Sequence, residues 1–186
     1  MNKTSDQNTR KMVMSAFFAT LNIVIGYFVG MLNIPLIFMD TIGTVFGAVW
    51  FGPVWGMLIG GISNLVLALM KNPKDLPFAL VNIAIGLLVG LIARKYKFDL
   101  KTAIISGLIL SIVAPLVGAP IAVYVYGGIT GDFNDIFFTA LRQGGSNIFS
   151  AAFIPRVASN LVDKVLTCVI VSQILPKIKK GTNYNG

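Results

Sequence analysis

Residues Met12 to Leu32, MVMSAFFATLNIVIGYFVGML, carry no charge from end to end. A helix rises 1.5 Å per residue and the hydrocarbon core of a bilayer is about 30 Å thick, so about 20 apolar residues suffice to cross it. This stretch is long enough, and Arg10 and Lys11 stand immediately before it. Working outward, comparable apolar runs follow over residues 40–51, 54–70, 77–93, 102–126 and 157–175, separated by Phe51-Gly52-Pro53, KNPKDL (71–76), RKYKFDLK (94–101) and GGITGDFND (127–135). The pattern predicts an all-α integral membrane protein with six transmembrane helices. They form a single membrane domain over residues 12–180, between an N-terminal tail (1–11) and a polar C-terminal tail (181–186). Composition agrees: of 186 residues 55% are hydrophobic and only 12% charged, with a mean hydropathy of +0.80. A soluble domain carries about 25% charged residues.

The formal net charge is +8, yet the positions of the charges argue against a nucleic-acid partner. Lys3, Arg10 and Lys11, then Arg94, Lys95, Lys97 and Lys101, then Lys177, Lys179 and Lys180 form three groups, each flanking an apolar span. Segments that stay on the cytoplasmic side are enriched in Lys and Arg. Six crossings with both termini cytoplasmic place all three groups inside and leave Lys71, Lys74 and Arg142 in external loops. The basicity reports topology in a multi-pass cell-membrane protein. Met1 to Arg10 is polar and shows no cleavable signal pattern.

Enzyme chemistry finds little support. There is no histidine, hence no imidazole base for a serine nucleophile and no histidine-containing metal site. Ser63 in GGISN has no activating neighbour in sequence. The one cysteine, Cys168, lies in the apolar run VLTCVIVSQIL and reads as a packing thiol. No cofactor is indicated. Glycines four apart (Gly26 and Gly30, Gly43 and Gly47, Gly56 and Gly60, Gly86 and Gly90) read as close helix packing.

Polar residues inside the spans are more informative, because hydrocarbon offers them no partner and they turn toward protein or a wet cavity. Given the topology, Asp40 begins the second span near the outside. Asn64 lies about 10 Å below the external end of the third, and Asn82 about 8 Å below that of the fourth. Tyr124 and Tyr126 occupy the external end of the fifth, beyond Pro115 and Pro120, which interrupt it. Asn160, Asp163 and Lys164 fall within about 12 Å of the outer end of the last span, which Pro176 stops. Five spans thus bring polar groups to one level. Each also has a plainer role open to it. Asn64 and Asn82 fit hydrogen bonding between helices, Asp40 fits a cap on the second helix, and the tyrosines fit an interface belt. Adjacent Asp163 and Lys164 point about 100° apart on a helix, so one of them faces a neighbour.

The segments SAFFAT (15–20), MDTIGTVFGAVWFGPVWGMLIGGISNL (39–65), PFALVNIAIGLLVGLIARK (77–95), PLVGAPIAVYVYGGITG (115–131) and NLVDKVLTCVIVSQILPK (160–177), in that order and spacing, resemble the S components of energy-coupling factor (ECF) vitamin transporters, in particular the riboflavin-transporter-like branch. The likeness covers nearly all of residues 12–180. It implies a six-helix bundle in a bacterial cell membrane that captures a small vitamin and docks on a transmembrane T subunit driven by two ATPases. The family's Ala-xxx-Ala docking motif falls on Ser15-xxx-Ala19 or Ala16-xxx-Thr20. The family's pocket is built mainly from helices four to six and capped by external loops, which matches the polar layer read above, Asp40, Asn64, Asn82, Tyr124, Tyr126, Asn160 and Lys164, with Asn33 to Met39, including Pro35 and Phe38, as its lid. The substrate the resemblance favours is a pyridoxine- or hydroxymethylpyrimidine-like vitamin, with riboflavin and pantothenate next. Outside the family, the alternatives are an ion-coupled secondary transporter and an assembly subunit that binds no small molecule.

Overall fold

A computed structural model describes the backbone of residues 3–32 and 34–181 and the side chains of residues 7–32 and 34–178. The described residues form α1 (Lys3–Leu32), α2 (Ile42–Phe51), α3 (Pro53–Lys71), a 3-10 turn (Pro73–Phe78), α4 (Ala79–Lys95), α5 (Leu100–Tyr126), α6 (Asn134–Gln143) and α7 (Ile148–Gly181). Four stretches are helical, long and apolar enough to cross a membrane: Gln7–Leu32, Pro53–Lys71, Pro73–Lys95 and Leu100–Tyr126. The six spans expected from hydropathy therefore do not map one to one onto helices. The second is only the ten-residue α2, about 15 Å long, and what precedes it is non-helical. Two further boundaries move. Pro115 and Pro120 lie within an unbroken α5, and α7 runs through both Pro155 and Pro176. An interior proline removes one backbone bond, which neighbouring helices in a membrane bundle can compensate.

Two groups of helices make up the bundle. α1 to α4 pack together on one side, α5 and α7 form the most extensive pairing on the other, and α4 and α2 bridge the two. Glycine is what lets α3 and α4 touch: a Cβ on Gly86 would lie 2.3 Å from the backbone of Gly56. α5 starts on Asp99, whose carboxylate accepts the Thr102 N–H at 2.9 Å. That bond holds the carboxyl below its ordinary range. The helix ends on Gly127 in the left-handed region (φ 64°) with the Gly128 N–H closing on the Ala122 carbonyl.

A buried polar knot positions α2. The side chain of Asn22, in the middle of α1, donates to Thr44 Oγ1 at 2.8 Å and Ser63 Oγ at 3.0 Å, and its oxygen accepts the Gly43 N–H at 2.6 Å. All three side chains are fully buried. The first turn of α2 is thus capped by a residue of another helix. Its own N-cap, Thr41, makes no side-chain capping bond, and Asp40, a candidate cap on sequence grounds, turns elsewhere. Gly43 is required because a Cβ there would sit 1.9 Å from the Phe18 carbonyl oxygen.

Candidate functional site

Because α2 begins opposite Asn22 while α1 continues to Leu32, residues 34–41 descend about 15 Å into the bundle without helical bonds. Non-helical backbone at membrane depth persists only where something satisfies it. Here Asp163 of α7 does so: its Oδ1 accepts the N–H groups of both Phe38 and Met39 at 2.8 Å. Leu36 (φ 65°) and Met39 (φ 49°) occupy the left-handed region, at about 1–2 kcal/mol each for residues with a Cβ. The carboxylate bonds offset that cost.

The other Asp163 oxygen meets Lys164 Nζ at 2.6 Å. The same ammonium reaches Thr41 Oγ1 at 3.1 Å and Asp40 Oδ1 at 3.4 Å. Asp163 is wholly buried and Lys164 3% exposed. Two neighbours on one helix thus divide their work: Asp163 faces the non-helical segment, and Lys164 sits at the edge of an internal space.

That space is a cavity of about 580 Å³ at the bundle end formed by residues 34–40, the 3-10 turn and the loop 127–133. Asp40, Asn64, Asn82, Asn160 and Lys164 line it, with Phe38, Ile37 and Leu36 along one wall. Asn82 Nδ2 donates to Asn64 Oδ1 at 3.0 Å. Asn82 Oδ1 is buried without a hydrogen-bond partner among the described residues, and so is Asn134 Oδ1, in the wall contributed by α6. Ala114, Pro115 and Gly118 form the α5 wall.

The remaining sequence candidates separate from this group. Tyr124 is 89% exposed and lies outside the cavity wall, because α5 carries it on the face away from the bundle. Tyr126 also lies outside the lining, but its hydroxyl donates to Asp75 of the 3-10 turn, which does line the cavity. Pro35 is exposed and turned from the lining, and Asn33 lies outside the described residues. On α1, Ser15 and Ala19 are buried whereas Ala16 and Thr20 are exposed, so the two small-residue registers, about 100° apart, face the bundle and its outside respectively.

One cavity cation has no counterpart among the residues singled out from sequence. Arg156, 6% exposed, lines the cavity. Its Nη1 donates to the Ala152 carbonyl at 2.9 Å and its Nη2 to Thr130 Oγ1 at 2.8 Å. Thr130 in turn donates to Asp132 Oδ2 at 3.0 Å, with Asp135 Oδ1 at 3.4 Å. Asp135 also accepts the N–H groups of Thr130 and Gly131, so the loop after α5 is tied down by acids that Arg156 faces. The signal was present in FIPRVAS (153–159): an ionisable residue in an apolar setting marks a functional position. Starting the last span at Val157 left it out.

Helices long enough to cross a bilayer, closed around a polar cavity, define a membrane protein with room for a polar solute. The chain belongs to the family of ECF transporter substrate-specific components, whose model matches residues 10–175. Comparisons with curated proteins and with solved structures gave no match. Members of this family are transport subunits, so the chain is a membrane-embedded substrate-binding subunit, with a small-molecule substrate and T and ATPase partners implied by its class.

Proposed function

We propose that the chain captures a small water-soluble vitamin in this cavity from outside the cell and delivers it by docking on a T subunit powered by two ATPases. The observation that carries the reading is the convergence of Asp40, Asn64, Asn82, Asn160, Arg156 and Lys164, from four separate segments, on one cavity of about 580 Å³. Two buried amide oxygens there are unfilled. A buried acceptor without a partner costs about 1–3 kcal/mol, and a small turn of either amide toward the cavity would let a solute donor remove that cost. The volume falls in the range of small-molecule sites, about 300–1,000 Å³.

The chain crosses the membrane six times with both termini cytoplasmic. Residues 34–41 with α2 make the second crossing, and the mouth at the 3-10 turn and loop 127–133 opens outward. The distribution of Lys and Arg supports this orientation. Among vitamins, an aromatic ring the size of pyridoxine or hydroxymethylpyrimidine suits walls made of Phe38, Phe78 and Pro115 with amides at the polar positions. Docking uses the Ala16/Thr20 register, the exposed one. Identification of the small molecule that copurifies with the chain, followed by ligand-induced thermal shift across a vitamin panel, tests the reading. Absence of any copurifying molecule together with no shift across the panel rejects it.

A further inference from the structure

Between α5 and α7 the chain inserts the ten-residue helix α6, NDIFFTALRQ. Its length of about 15 Å is half of what a bilayer core requires. At about 100° per residue its side chains sort into three faces. Asn134, Phe138 and Leu141 turn inward, and Phe138 packs with Ala119 of α5 and with Ala151 and Ala152 of α7. Gly128 makes room for that ring, since a Cβ there would lie 2.1 Å from Phe138 Cζ. Asp135, Thr139, Arg142 and Gln143 form a polar face. On it Thr139 Oγ1 donates to the Asp135 carbonyl at 2.8 Å and Arg142 Nη1 to the Ser146 carbonyl at 2.7 Å. The third face, Ile136, Phe137 and Ala140, is apolar and exposed. Ile136 is 64% and Phe137 48% exposed.

Several observations say what covers that third face. The chain on either side of α6 shares its character, with Ile129 before it and Ile148 and Phe149 after it exposed as well. α5 is a membrane span as far as Tyr126, so the loop 127–133 tethers α6 at the level where that span leaves the hydrocarbon. Three side chains on so short a helix cannot supply the roughly 1,000 Å² that a stable protein interface buries, which disfavours a second copy. The proposed docking face lies on α1, whereas α6 packs on α7 and not on α1. A polar strip carrying Arg142 beside an apolar strip carrying Phe137, on a helix that does not span, matches the boundary between lipid headgroups and acyl chains, where both strips are satisfied at once.

We propose that α6 is an interfacial helix whose partner is the lipid surface: Ile136, Phe137 and Ala140 sit in the acyl-chain boundary of the leaflet at the cavity mouth, with Thr139, Arg142 and Gln143 toward headgroups and water. Phe133 links this face to the cavity. It lines the cavity, and its ring meets that of Phe137 edge-on with centroids 5.5 Å apart. The bilayer thus backs the wall that the loop 127–133 contributes. This contact needs no solute, so it can be tested apart from the substrate reading.

The test is fluorescence quenching of the full chain in phosphatidylcholine vesicles, with bimane attached to one introduced cysteine at a time: Ile136→Cys, Phe137→Cys, Thr139→Cys or Gln143→Cys. Leu116→Cys, on the exposed mid-span face of α5, is the lipid reference, and the unsubstituted chain, whose one thiol at Cys168 is buried, sets the background. The quenchers are aqueous iodide and phosphatidylcholine brominated either near the glycerol end or near the tip of its chains. The expected result is that brominated lipid quenches the labels at 136 and 137 several-fold more than those at 139 and 143, that iodide does the reverse, and that the shallow bromine acts on 136 and 137 more than the deep one. Iodide quenching at 136 and 137 equal to that at 139 and 143 places the face in water and overturns the proposal. Protection of 136 and 137 from both quenchers means that protein covers the face, a second copy or another subunit, and overturns it too. Stronger quenching there by the deep bromine than by the shallow one rejects an interfacial position.

Discussion

The carboxylate of Asp163 accepts the backbone N–H of Met39 at 2.8 Å across 124 positions of the chain. With the Phe38 bond on the same oxygen, this contact joins α7 to the non-helical segment that walls the cavity. Asp163 thus couples the wall to the residue beside it, Lys164, and through Lys164 to Asp40.

Asp163→Ala is expected to destabilise the protein by about 3 kcal/mol, because it leaves a buried ammonium with only the longer Asp40 contact and Thr41, and takes the acceptor from two part-buried N–H groups. Thermal unfolding in detergent reads this out. Asp163→Asn, which keeps the acceptor oxygen but not the charge, is expected to lose less. An Asp163→Ala protein as stable as the wild type contradicts the anchoring role.

Freeing the same segment without touching Asp163 addresses its role as a lid. Replacing residues 35–39 by glycine is expected to speed release of bound solute, since flexible backbone pays more entropy to hold the closed form. Stopped-flow release rates measure it, and an unchanged off-rate argues that the segment is wall and not lid.

Asn22→Leu removes three buried hydrogen bonds that meet at one side chain. Stability is expected to fall by at least about 1–3 kcal/mol, because the Gly43 N–H and two hydroxyls lose their partner. Asn22 does not line the cavity. Affinity of the folded fraction should therefore change little, which a ligand titration alongside the melt would establish.

Asn82→Leu reverses that pairing of effects. Its amide lines the cavity with one oxygen unfilled, so affinity is expected to weaken by about 1–3 kcal/mol. Isothermal titration with the copurifying molecule gives the number. Unchanged affinity would return Asn82 to the single role of bonding Asn64.

On α1 the two small-residue registers give opposite predictions. Ala16→Trp with Thr20→Trp adds bulk to an exposed face and is expected to leave solute binding intact while abolishing uptake with the T subunit. Ala19→Trp forces a large ring into a buried position, 8% exposed, and is expected to lower the unfolding temperature by itself. Pull-down of the T subunit with each variant separates docking from folding. Retained docking by the first double variant would falsify the assignment of that face.

Reading the chain alone was enough for the membrane and the helical class, and it singled out Asn64, Asn82, Asn160 and Lys164, which line one cavity, because hydropathy and a 1.5 Å rise are properties of consecutive residues. The same reading placed Tyr124 with that group, since residue counting fixes depth but not azimuth around a helix. It passed over Arg156, one residue outside an assumed span boundary, and over Asn22, which resembles any other polar residue in a span.

Tertiary structure alone decided that Asp40 turns from the helix cap to Lys164, that Asn22 caps α2 in its place, and that the short helix α2 is preceded by a non-helical stretch with two left-handed residues. The physical reason is common to all three. An ion pair or a capping bond depends on which groups lie within about 3 Å in space, and here they join positions 21 to 125 residues apart. Composition along the chain sets the cost of burying a polar group, but only the packed helices determine which partner meets it.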